Sequence, residues 1–132
     1  MPRAHLSSTL LVVILVGLGA RCGAVEQHFV QVLTFEVAPE WQEDFLQNDH
    51  EVWTTVQAQA PGFLGKQSWV SLKNPEQISL VIHWEKESDS KAIPKQEFAA
   101  AGREFGKAMG GSKKYRLIEK REYTQRRWFV PE

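Results

Sequence analysis

The 132-residue chain reads as an α+β domain in the order β-α-β-β-α-β, preceded by a signal peptide. Three observations predict this. The first two dozen residues are largely apolar and carry no acid before Glu26. The hydrophobic period then switches repeatedly between 2 and 3.6, which separates strands from helices. Breakers stand where the period switches, at Pro61-Gly62, Asn74-Pro75, Pro94 and Gly110-Gly111.

In the leader, Arg3 and His5 precede an apolar run from Leu10 to Leu18, followed by the small residues Gly19, Ala20, Gly23 and Ala24. That profile is a secretory signal over residues 1–24, with cleavage after Ala24. An uncleaved anchor is the alternative, but Arg21 interrupts the run at about half the ~20 residues a membrane-spanning helix needs. A lipoprotein signal would need a small residue before Cys22, where Arg21 stands. The expected destination is secreted or exported: periplasm, lumen or exterior. No stable membrane insertion is expected after cleavage.

Cys22, the single cysteine, falls in the leader, so a mature domain has no thiol for a disulfide, a metal thiolate or a nucleophile. Residues 25–126 are long enough for one hydrophobic core and too short for two. Residues 127–132 read as a C-terminal tail. Sixteen basic and sixteen acidic residues balance, which argues against nucleic acid as a partner. The late basic cluster (Lys113, Lys114, Arg116, Lys120, Arg121, Arg126, Arg127) is interleaved with Glu119 and Glu122 and reads as a solvated strand face.

The first strand is 29–37, FVQVLTFEV, β-branched and aromatic and apolar on both faces. Residues 40–59 follow as one helix. Trp41, Phe45, Asp49, Val52, Trp53 and Val56 share a side, and Glu40, Glu43 and Asp44 suit its positive end. Strands 63–72 and 78–85 form an antiparallel hairpin around Lys73-Asn74-Pro75. In the second of these Ile78, Leu80, Ile82 and Trp84 alternate toward the core. A short helix capped by Ser88 or Asp89 breaks near Ile93, and a second runs from 95 to 109 until Gly110-Gly111 stop it. The last strand, 115–125, alternates Tyr115, Leu117, Glu119, Arg121 and Tyr123 against Arg116, Ile118, Lys120 and Glu122.

This order implies a ferredoxin-like layer of helices on one face of an antiparallel sheet. Apolar residues on both sides of the first strand require cover for the other face, and a second copy of the sheet supplies it, so a homodimer is expected.

The strand-helix opening, the loop Ala60-Pro61-Gly62-Phe63-Leu64-Gly65, the hairpin ending in Trp84 and the strand from Leu117 to Tyr123 resemble the antibiotic biosynthesis monooxygenase-like domains, which are dimeric α+β barrels. Asp49, Val52-Trp53-Thr54, Pro61 to Lys66, Ala92-Ile93-Pro94 and Arg121-Glu122-Tyr123 resemble a branch of uncharacterised proteins common in cyanobacteria. The resemblance covers nearly all of residues 28–125. It implies a cleft between helices and sheet. Some members oxygenate polyphenols without metal or flavin, and others degrade haem. The haem-degrading members use an Asn on the first strand, a Trp on the third and a His in the second helical region. Trp84 matches the Trp, the first strand has no Asn, and Ile93-Pro94 stands where the His belongs.

Asp49 is the first candidate for chemistry, because it interrupts an apolar helical face. Burying it alone costs several kcal/mol, so it either pairs with an Arg or Lys of the sheet or faces a cleft as a general base for a phenol-like substrate. Trp53, Trp69 and Trp84 are expected around the same cleft as walls for a small aromatic ligand, or simply as core; Trp84 doubles as an electron-donor candidate. His50 and His83 fall off these faces. No paired-His spacing or Asp-rich loop occurs, so no metal is expected, and the absence of G-x-G-x-x-G, P-loop and G-x-S-x-G patterns leaves no cofactor expected. Two functions follow: a cofactor-independent monooxygenase-like enzyme with Asp49 and Trp84 as catalytic residues, or a non-catalytic ligand-binding or dimerisation module.

Overall fold

A computed structural model of the chain describes residues 27–132. The expected signal peptide and Cys22 lie outside the described residues. Four strands, β1 (His28–Val37), β2 (Phe63–Val70), β3 (Gln77–Trp84) and β4 (Tyr115–Gln125), form one antiparallel sheet in the order β2-β3-β1-β4. With helices between β1 and β2 and between β3 and β4, this is a ferredoxin-like α+β fold.

Pairing of Phe29, Gln31, Leu33 and Phe35 with Trp84, Ile82, Leu80 and Ile78 puts these two rows on one face, under the helices. The expected core set of β3 is fully buried there. Two bulges interrupt the simple alternation. On β4 the register slips opposite Thr34 and Phe35. Tyr115 and Leu117 therefore face the helices, but beyond the slip Lys120 and Glu122 take that side while Glu119, Arg121 and Tyr123 turn to the other. On β2 the slip lies between Phe63 and Gly65, so Lys66 opposite Ile82 faces the helices and Trp69 opposite Ser79 faces away.

The expected single helix of residues 40–59 is a continuous run of four segments of three kinds. Pro39 opens a 3₁₀ turn (Pro39–Trp41), which passes into α1 (Gln42–Asn48), a π-helical turn (Asp49–Thr54) and α2 (Thr55–Gln57). Gln42 Nε2 ties its start to the Val37 carbonyl at 3.0 Å. Past its end, Gly62 admits no side chain: a Cβ there would lie 2.0 Å from the Asp89 carboxyl group. Asp89 belongs to α3 (Glu87–Ser90). Lys86 is the N-cap residue rather than Ser88 or Asp89, and Asp89 Oδ2 reaches back to accept from its backbone N–H at 3.0 Å.

After Pro94, α4 (Lys95–Ala108) runs until Gly110 and Gly111, both at positive φ, close its end by donating to the Lys107 and Gly106 carbonyls. A short 3₁₀ turn (Ser112–Lys114) leads into β4. Helices and sheet enclose two clusters. One gathers Val37, Phe45, Val52, Ile78, Leu80, Ala101, Phe105 and Met109; the other gathers Phe29, Ala60, Ile82 and Trp84. The opposite sheet face carries Val30, Val32 and Val81 beside exposed Trp69 and Tyr123. Trp128, Phe129 and Val130 of the tail are also exposed.

Candidate functional site

Between the helical run, α4 and the sheet lies a cavity of about 270 Å³. Its walls are almost entirely apolar: Leu33 and Phe35 from β1, Phe45 and Trp53 from the helical run, Leu80 from β3, Phe98 and Phe105 from α4, and Tyr115 and Leu117 from β4. Trp53 packs at 5.0 Å against Phe98, and Phe105 stands edge-on to Tyr115 at 5.0 Å. Gly102 keeps the Trp53 side open, since a Cβ there would lie in contact with the indole at 3.7 Å.

The polar groups of the cavity are concentrated at Asp49, Gln57 and Lys66. Lys66 Nζ lies 2.8 and 2.7 Å from the two Asp49 carboxylate oxygens, and it also donates to Gln57 Oε1 at 3.1 Å and Thr54 Oγ1 at 3.3 Å. Asp49 and Gln57 are buried, and the Lys66 side chain is 7% exposed. Burial raises the Asp49 pKa above the ordinary aspartate value, outweighing the Lys66 charge that lowers it. Burial likewise lowers the Lys66 pKa, against the pull of Asp49. Desolvation thus prevails on both sides of the ion pair, and the pair is a poor source of stability. What it provides is a buried carboxylate held at one end of an apolar chamber.

Two local irregularities build this end. The π turn carries Asp49 and leads to Trp53 and Gln57, so three residues at four-residue spacing all reach the cavity. The bulge on β2 turns Lys66 inward. Gly65, a glycine inside a strand, is the signal that could have announced it. Lys66, Gln57, Phe98 and Leu117 were not among the sequence candidates.

Asp49 is paired with a lysine of the sheet, the first of its two expected descriptions, and it also lines the cleft. Trp53 lines the cleft as expected. Trp84 and Trp69 do not. Trp84 is buried in the second cluster, edge-on to Phe63 at 5.6 Å, with its indole N–H donating to Gln31 Oε1 at 3.0 Å. Trp69 is 54% exposed on the opposite face, placed there by the same bulge that brings in Lys66. His50 is exposed, and His83 meets Gln67 at 3.3 Å on the far face of the sheet. Among the described residues no group of three or more His, Cys, Asp or Glu is placed to hold a metal ion, and no helix is long and apolar enough to cross a membrane.

A family model described as antibiotic biosynthesis monooxygenase matches residues 28–97. No curated protein matches the chain. Among solved structures the fold is similar to a monooxygenase from the gene ActVA-Orf6 of Streptomyces coelicolor in complex with nanaomycin D. That match has 22% identity and a TM-score of 0.57, over 81% of this chain and 95% of the other. It is also similar to SnoaB, a cofactor-independent oxygenase from Streptomyces nogalater, with 16% identity and a TM-score of 0.58, over 80% and 99% of the two chains. A dimeric ferredoxin-like protein from an uncultured marine organism gives 16% identity and a TM-score of 0.60, over 81% and 95%.

Proposed function

The chain belongs to the antibiotic biosynthesis monooxygenase family, and on that premise we propose that it is an exported, homodimeric, cofactor-independent monooxygenase-like protein acting on a small phenolic molecule. One observation carries the reading: an apolar, aromatic-walled cavity with a buried carboxylate–ammonium pair at one end. Such a chamber holds a flat apolar body and leaves one polar end for a hydroxyl group. Asp49 is the base. Its raised pKa brings it closer to the range in which a carboxylate accepts a proton usefully near neutral pH, while the Lys66 charge opposes that rise.

Removing the phenolic proton makes the ring electron-rich enough to reduce dioxygen directly. In the overall reaction a phenol and O2 give a quinone and water. One oxygen atom enters the ring as a carbonyl, the other leaves as water, and the substrate supplies all four electrons. Trp53 and Phe98 form the wall against which the ring stacks. The exposed sheet face around Trp69 and Tyr123 is the surface for a second copy, and the similar dimeric ferredoxin-like protein supports that assembly.

Oxygen uptake by the purified protein over a panel of hydroxynaphthalenes and anthrones tests the reading. Uptake that Asp49→Asn abolishes while the protein stays folded supports it. Uptake unchanged in Asp49→Asn removes Asp49 from the mechanism. Aromatic binding with no uptake on any substrate leaves a non-catalytic binding module.

A further inference from the structure

The ammonium group of Lys66 has three N–H bonds and no acceptor, and three partners take them: Asp49, Gln57 and Thr54. The cation is therefore spent inside the protein, although it lines the cavity. The same contact fixes the Gln57 amide. An ammonium can bond only to the carbonyl end of an amide, so Oε1 is held on Lys66 and the NH2 end points to the other side of that contact. Gln57 itself lines the cavity, one helical column along from Asp49.

From this arrangement we infer that Gln57 is the specificity-determining donor of the site, and that the polar end selects a neutral hydroxyl and rejects a carboxylate. The inference rests on the aromatic-ligand reading above and sharpens it. A single hydroxyl satisfies both groups that remain: its O–H donates to the Asp49 carboxylate, and its oxygen accepts from the Gln57 amide. After proton transfer to Asp49, the same amide N–H stays on the phenolate oxygen, where charge develops. A carboxylate ligand meets Asp49 as a like charge with no free cation to offset it, between almost entirely apolar walls. Lys66 is a positioning residue that orients Gln57 and Asp49 and does not touch the ligand.

Calorimetric titration of the full protein at pH 7 with 2-naphthol, 2-naphthoate and naphthalene tests this. The expected order is 2-naphthol tighter than 2-naphthoate by about tenfold or more, the size of one charge-assisted hydrogen bond gained or lost. Gln57→Leu and Gln57→Met each lower the affinity for 2-naphthol relative to naphthalene roughly tenfold. The wild-type comparison needs no variant, so instability of either variant leaves the test standing. Equal or tighter binding of 2-naphthoate overturns the inference. So does a Gln57 variant that weakens 2-naphthol and naphthalene alike. If naphthalene binds and 2-naphthol binds no better, the selectivity fails while the aromatic cavity stands. If none of the three binds, the aromatic-ligand reading fails and takes this inference with it.

Discussion

Replacing Lys66 by Met tests the energetics of the buried pair most directly. At the 2.7 Å separation of Nζ and Oδ2 the charges attract by about 6 kcal/mol at an effective dielectric of ~20. Desolvation of both groups offsets much of that. The Met side chain fills the space of the lysine stem but strands a buried carboxylate together with the Gln57 and Thr54 oxygens. The expected loss is about 3–5 kcal/mol at pH 8. In the variant Asp49 keeps the burial that raises its pKa and loses the charge that lowers it, so its folded pKa lies well above its unfolded one. Between those two values the folded state binds the extra proton. The variant is therefore most stable below the unfolded pKa and loses stability as pH rises through the folded one, and its deficit shrinks toward acid. The double substitution Asp49→Leu with Lys66→Met removes both charges and is expected to match wild type or exceed it by about 1–4 kcal/mol. Urea unfolding at fixed protein concentration, from pH 4 to pH 8, measures all three. A Lys66→Met variant within about 1 kcal/mol of wild type at pH 8, or a double variant no more stable than the single one, refutes the reasoning.

Gly62→Ala forces a methyl group onto the Asp89 carboxyl and is expected to cost about 1–3 kcal/mol in thermal or urea unfolding; Asp89→Ala in the same chain recovers part of it. Trp53→Ala weakens naphthalene binding several-fold. Trp84→Phe leaves that binding unchanged while costing about 1–2 kcal/mol of stability, because Gln31 loses its donor; a binding defect in Trp84→Phe would restore Trp84 to the cavity wall. For turnover, the acid limb of kcat/KM against pH lies above the ordinary aspartate range and the alkaline limb below the ordinary lysine range, since activity needs Asp49 ionised and Lys66 protonated; limbs at ordinary values separate the pair from catalysis. Trp69→Lys, on the exposed sheet face, converts dimer to monomer in light scattering without loss of helix signal, and an unchanged mass moves the interface elsewhere.

Much of this fold is legible in composition and period. The strands announce themselves through β-branched runs, the helix stops through Pro61-Gly62 and Gly110-Gly111, and the buried row of β3 through plain alternation. Asp49 is legible as well, because a lone carboxylate on an apolar helical face has few physical explanations. The remainder of the site is hidden by two local departures from periodicity. Counting by twos from Phe63 turns Trp69 inward and Lys66 outward, and the bulge before Gly65 inverts both. Likewise, counting by twos along β4 sends Glu119 and Arg121 to the helix side, until the slip opposite Thr34 and Phe35 reverses them. Alternation is a property of an unbroken ladder, and a sequence shows where a ladder can break more readily than where it does. Trp84 went astray for another reason. Its row does face the helices, but a sheet face serves more than one cluster, and position along the strand decides which.

The π turn couples two registers that an ordinary helix would set independently. Phe45 and Asp49 precede its widened hydrogen-bond ring or open it, and Trp53 and Gln57 lie in or beyond it. Losing one residue from this stretch would let the backbone relax to regular α geometry with Phe45 and Gln57 still on their present sides, because the widened turn takes up one residue without turning one half of the run against the other. The stretch between Phe45 and Gln57 is thus where this fold can change length by one residue and keep its chamber, whereas regular α geometry imposed on the present length would carry Gln57 ~100° away from the cavity.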